Sequence, residues 1–294
     1  MQGETQHAPS PRHEQRTADP SHGRNFRVID AERIRPLFDG AELWRYREVV
    51  FFLIWRSFKV RYRQTYLGIL WAVLQPLIGM GVFTVVFNRM IGVPSDGVPY
   101  PLFVLCGLIP WTYLSRSING ATGSLIGDQE LLRHVYFPRI GIPLAVVVAG
   151  LGDMLFGWAI FAAALVVFGT VPPANAILAP VFLLLLIAVV LGIGLMTSAL
   201  NVRFRDIGYL VPFAVSTVLF VTPVVYPASL VPDGLQAVYA LNPMVGIIGG
   251  LRWCLLDVPL DLATAVISSI CALALLVGGL FLFSRGQNTF ADYI

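Results

Sequence analysis

Residues 43–76, LWRYREVVFFLIWRSFKVRYRQTYLGILWAVLQP, carry a charged helical stretch directly into an apolar one. On a helical period, Arg45, Glu48, Arg56, Lys59 and Arg63 share one stripe. Leu43, Tyr46, Val50, Leu53, Ile54 and Phe58 lie on the other side. This pattern predicts an amphipathic helix lying in a membrane interface, with a crossing helix following it.

Composition extends that reading to the whole chain. Of 294 residues, 56% are hydrophobic and 13% charged, and mean hydropathy is +0.74. So little polar surface excludes a soluble globule and predicts an all-α polytopic membrane protein. Charge-free apolar runs long enough for a span, about 20 helical residues, occur six times. They are Leu67 to Asn88, Val98 to Ser115, Ile140 to Gly169, Asn175 to Leu200, Ile207 to Pro227 and Leu262 to Ser284.

Basic residues cluster before the first run, after the second at Arg133 and Arg139, after the fourth at Arg203 and Arg205, and after the sixth at Arg285. Only Arg89 and Arg252 fall on the other side. The positive-inside rule therefore puts both termini in the cytoplasm. Residues 229–256 resist a seventh crossing. Asn242-Pro243 pairs a helix N-cap with a proline at the first helical position, so two short helices are expected there. They read as a re-entrant helical hairpin at the outer face before the last span, with a surface-lying hairpin as the alternative.

The expected organisation is a polar, disordered tail over residues 1–25 without a signal peptide, and a cytoplasmic segment with the interface helix over 26–66. The transmembrane domain covers 67–284, and a short cytoplasmic tail covers 285–294. The span pattern has no internal or inverted repeat, which speaks against the usual secondary-transporter architecture. Cys106, Cys254 and Cys271 sit in apolar surroundings without CxxC spacing and read as small buried hydrophobes. The four histidines form no metal pattern.

A phosphate-cradling loop needs GxxxxGK[ST], and the single lysine, Lys59, lies in Arg-Ser-Phe-Lys-Val. One acid, Asp153, stands inside a span. It is either a proton or substrate site, or a buried carboxylate hydrogen-bonded to a neighbouring helix. No paired carboxylates, Ser/His/Asp set or metal cluster supports an enzyme.

Several motifs then line up in order. They are Trp44-Arg-Tyr-Arg47, Lys59-Val-Arg-Tyr-Arg-Gln-Thr65 with Leu67-Gly68, Trp71-Ala72 and Leu74-Gln-Pro76, then Gly107-Leu-Ile-Pro-Trp111 and Val135-Tyr-Phe-Pro-Arg139. Asn201-Val-Arg-Phe-Arg-Asp206, Thr222-Pro-Val-Val-Tyr-Pro227, Leu241-Asn-Pro243 and Arg252-Trp253 complete the set. Beyond residue 40 the chain resembles the ATP-binding-cassette type-2 permeases that export polysaccharides such as O-antigen, capsule and teichoic acid. It departs at Ser57, where the family commonly has Asp, which puts a local charge pair with Arg56 in doubt.

The resemblance implies a permease that binds neither ATP nor a metal itself. It would form a homodimer and work with two copies of a separate ATPase carrying ATP and Mg. Its cargo would be a lipid-linked polysaccharide crossing the bacterial inner or plasma membrane, with no nucleic-acid partner. A drug or lipid permease of the same fold is the alternative. A coupling helix is expected within residues 119–137, with Asp128, Glu130, Arg133 and His134, and a smaller ATPase contact at Arg203, Arg205 and Asp206. The interface helix would act as a gate, with Arg56, Lys59, Arg61 and Arg63 holding either the diphosphate of the cargo or lipid headgroups. Trp71, Phe83, Phe87, Trp111, Tyr113 and Tyr226 are candidates to line a glycan channel, or else pack against lipid.

Overall fold

The computed structural model describes residues 40–62, 70–134 and 137–287, without the side chains of residues 61, 62 and 233. Arg61 as a side chain, Arg63, the expected tail over 1–25 and the end of the chain lie outside these. Among the described residues every regular element is helical. In chain order they are α1 (Gly40–Arg45), α2 (Arg47–Tyr62), α3 (Leu70–Phe83), α4 (Tyr100–Gly127), α5 (Gln129–His134) and α6 (Gly141–Phe168). α7 (Ala179–Arg203), α8 (Ile207–Val218), α9 (Asp233–Ala240), α10 (Pro243–Leu256) and α11 (Leu262–Gly286) follow.

Each of the six apolar runs holds a helix. By length and apolarity four stretches qualify as crossings: Leu70–Met90, Gly141–Phe168, Ala174–Arg203 and Leu262–Gly286. The bent pair α9–α10 would raise the count to five. The two runs not counted fail for different reasons. α4 is long, but Pro110, Arg116 and its hydroxyl side chains dilute its apolarity, and it lies inside the protein with 19 of 28 residues buried. α8 with the 3₁₀ turn that continues it, Ile207–Val221, is too short.

α4 is the axis of the fold. It packs against α6 and α7, while α11 lies along α7 and α10 along α11. The α7–α11 contact rests on glycine: a Cβ on Gly279 would come within 2.1 Å of the Gly192 carbonyl oxygen. Small residues that let backbones approach are how helices associate where no hydrophobic force between them remains. Buried polar links add to it, with Thr122 and Thr197 hydroxyls 2.8 Å apart and Asn201 donating to the Thr122 carbonyl at 2.8 Å.

Local signals explain the helix ends. Gly169 closes α6 in the left-handed region, φ 64°. Asp261 caps α11 by accepting from the amides of Ala263 and Thr264. Asn242 accepts from the Met244 amide at 3.0 Å with Pro243 opening α10, as expected. The two short helices turn through 93°, an L rather than an antiparallel hairpin. Ser268 explains why: its hydroxyl donates to the Ala240 carbonyl and accepts from the Gly246 amide, pinning the corner against α11.

α2 is less simply amphipathic than expected. Val50 and Leu53 are buried, and Phe58 packs on Gly152 of α6. The opposite side, however, exposes Phe51, Phe52 and Trp55 among Glu48 and Lys59. The helix is apolar on both flanks, with charge threaded between aromatic rings, a composition suited to the headgroup layer.

Candidate functional site

At one end of the bundle a hydrophobic cluster joins five elements through Leu53, Leu125, Ile142, Val202 and Phe283, with Leu131 and Leu132 of α5 resting on it. Every charged segment expected to meet a partner is tied to this cluster. The first half of the 119–137 stretch continues α4 as helix, and only α5 stands free as a short surface helix. Its charges face out: Glu130, Arg133 and His134 are exposed, with Glu130 3.9 Å from both basic side chains. Arg203, Arg205 and Asp206 are exposed on the α7–α8 turn, and Arg203 stacks on Phe204. Arg139 donates to the Gln287 carbonyl at 2.7 Å, closing the ring of segments.

One link joins two parts of the sequence expected to act separately. Arg56 of α2 forms an ion pair with Asp128, the residue between α4 and α5. The charge pair that Ser57 puts in doubt is thus made 72 residues away. Arg56 is 41% exposed and Asp128 20%, so the direct Coulomb gain is modest, at most about 1 kcal/mol. Its value is positional, since it ties the interface helix to α5. A double-mutant cycle tests this. Arg56→Asp and Asp128→Arg should each lower coupled ATPase activity several-fold, and the swapped pair should recover most of it. Independent, additive losses would show that the bridge carries no coupling.

Deeper in the bundle, Asp153 of α6 meets Arg116 of α4 at 3.5 Å. Ser117, with no hydrogen-bond partner for its buried hydroxyl, lines the same small cavity with Gln75 and Thr112. Arg116 was not singled out from sequence. The signal was there, since it directly follows Ser115, the last residue of the expected second span, and its charge opposes that of the lone acid. An ion pair relieves the cost of placing either charge at depth.

The six aromatic candidates do not converge. Trp111 and Tyr113 are buried in the central core, the latter donating to the Val147 carbonyl at 3.3 Å. Phe83 and Phe87 pack on each other, centroids 5.8 Å apart, and against Tyr100 and Phe103. Trp71 is exposed on α3, and Tyr226 bonds to the Phe220 carbonyl and to Tyr239. Lys59 is exposed on α2.

At the opposite end, four motifs set apart in the sequence meet in one place. Arg252, 3% exposed, donates through Nη2 to the carbonyls of Val224 (2.8 Å) and Phe103 (3.3 Å), and its guanidinium lies 3.4 Å from the centroid of the Phe103 ring. Gly107 leaves room for it: a Cβ there would sit 3.1 Å from Nη2. Thr222 accepts from Asn242 at 3.0 Å, and Tyr100 donates to the Val225 carbonyl at 2.6 Å.

Long apolar helices joined by short charged segments define an integral membrane protein. The chain belongs to the ABC-2 type transporter family, whose sequence profile matches residues 48–256. It is similar to the O-antigen export system permease protein RfbA of Myxococcus xanthus, 32% identical over 209 residues, covering 70% of this chain and 79% of that protein. The protein of the same name from Klebsiella pneumoniae is 26% identical over 241 residues, 81% of this chain and 92% of the relative. The polysialic acid transport protein KpsM of Escherichia coli is 25% identical over 205 residues, 67% and 76% of the two chains.

Proposed function

We propose that this chain is the permease subunit of an ATP-driven exporter that moves a lipid-linked polysaccharide across the bacterial inner or plasma membrane. It works as a homodimer with two copies of a separate ATPase that holds ATP and Mg, and both termini lie in the cytoplasm. The observation that carries this is the Arg56–Asp128 link between α2 and α5. Short charged segments on an apolar body are the surfaces a soluble motor can grip, and here one of them is joined to the helix beside the lipid headgroups. Relatives named as O-antigen and polysialic acid transporters support a glycan cargo.

In this reading α5 and the 203–206 turn receive the ATPase, and Arg56, Lys59, Arg61 and Arg63 meet the cargo diphosphate at the entrance. The exposed apolar faces of α3 and α8, with Trp71, Ile78, Val82, Tyr209 and Phe213, are what a second copy would cover. α9 and α10 form a re-entrant element on the outer side. The test is reconstitution with the ATPase: a lipid-linked glycan should stimulate ATP hydrolysis, and Arg61→Glu with Arg63→Glu should abolish the stimulation. Stimulation by a drug or free lipid alone would replace the glycan reading. Unchanged export in the charge-reversed protein would remove the arginines from it.

A further inference from the structure

The end opposite α5 holds a cavity of about 580 Å³ bounded by α9, α10, the start of α11 and the 96 turn. That size is typical of pockets that take small organic ligands. Arg252 forms part of its wall, 97% removed from solvent (3% exposed), with an Nε that has no hydrogen-bond partner. Its Nη2 is already spent on two backbone carbonyls. The exposed carboxylates of Asp96 and Asp261 stand at the mouth, and Gln236, Tyr239 and Thr264 add amide and hydroxyl groups. Pro227, Pro259 and Leu260 supply apolar surface.

We propose that this cavity receives a short length of uncharged saccharide as the glycan leaves the transporter, and that it disfavours polyanionic chains. The proposal rests on the polysaccharide-export reading and names the class of glycan.

The chemistry matches sugar on both counts. Pyranose rings offer apolar CH faces to proline and leucine, while their hydroxyls donate to carboxylates, which accept only. An acidic sugar would bring a further negative charge between Asp96 and Asp261, and like charges so placed cost affinity. Arg252 is buried in the wall with its Nη2 committed to two carbonyls, so the compensation it offers is limited to the one unpartnered N–H at Nε. Thr264, through its hydroxyl and amide, holds the Asp261 carboxyl below the usual carboxylate range, so this acid keeps its charge at neutral pH. Asp96 is held in place by Ser229 and occupies the left-handed region, φ 52°, which Asp and Asn tolerate. The segments at this end carry Asp96, Asp233, Asp257 and Asp261 against Arg89 and the buried Arg252. The net charge there is opposite to that of the α5 end.

The test uses the full permease with its ATPase in nanodiscs. It is titrated calorimetrically with lipid-free oligosaccharide released from the cell's own surface polysaccharide, and with oligosialic acid of matching length. The released oligosaccharide should bind saturably and oligosialic acid at least tenfold more weakly. Asp96→Asn with Asp261→Asn, which keeps both the turn and the cap, should narrow that gap at least fivefold. Gly249→Phe should fill the cavity, because a Cβ at 249 meets only Leu260 at 3.9 Å. Binding should then vanish from a protein that still elutes as one species and keeps its basal ATPase rate.

Binding that survives Gly249→Phe, equal affinity for oligosialic acid, or an exported glycan that proves acidic would each overturn the proposal. The parent reading has its own readout, the return of surface polysaccharide when the wild-type gene complements a null strain. Complementation without saturable binding removes the cavity alone, and failed complementation removes both.

Discussion

Gly279→Leu is expected to leave little or no monodisperse permease, whereas Gly278→Leu one position earlier should be tolerated. A Cβ at 279 would lie 2.1 Å from the Gly192 carbonyl oxygen and 2.8 Å from its Cα; one at 192 would lie 2.4 Å from the Leu275 carbonyl oxygen. All three are backbone atoms, so no rotamer change relieves the overlap, and the two helices have to separate. Overpacking against side chains costs about 1–3 kcal/mol. Against backbone on both sides the loss should exceed about 3 kcal/mol, enough to consume much of a typical domain's stability. A Cβ at 278 meets nothing within 4 Å. Fluorescence-detected size exclusion and thermal melting of the two variants decide the matter, and equal behaviour would contradict the close α7–α11 crossing.

Arg252→Met is expected to be the second most damaging change. Burying a guanidinium costs several kcal/mol, so its retention depends on what it holds. Two carbonyls accept from it and an aromatic face lies 3.4 Å away. Hydrogen bonds to a charged donor contribute about 1.5–3 kcal/mol each, and a desolvated cation–π contact about 2 kcal/mol, so these contacts are of the size needed to offset the burial cost. Methionine fills the space but leaves the Val224 carbonyl without that donor. The melting temperature should fall by several degrees and export should be lost. Arg252→Lys, which keeps charge but not the planar fork, should lie between. A methionine variant as stable as the native protein would show that burial of the charge cancels its contacts.

What the sequence made legible follows from the range of the forces involved. The six apolar runs became helices because apolarity acts through the run itself. The Asn242-Pro243 break was readable because a side-chain acceptor and a missing amide act within three residues. The angle at that corner was not, because Ser268 sets it from 26 residues beyond Asn242. Nor was the Arg56–Asp128 link, for the same reason. The motifs that carry the resemblance follow one another along the chain, yet Gly107, Val224, Asn242 and Arg252 come together in space. What looked like a row of separate signatures is largely a single packing arrangement. Aromatic type and place in a span do not tell a core tyrosine such as Tyr113 from a surface ring such as Trp71.

The short α8 has a consequence for the membrane itself. With the 3₁₀ turn, the 15 residues Ile207–Val221 reach about 22–24 Å, against a hydrocarbon layer of about 30 Å. Whatever lies against its exposed face has to end its oily layer several Å early. Lipid packed there would have to compress its acyl chains and draw the two headgroup planes together, whereas a second protein chain would relieve the mismatch.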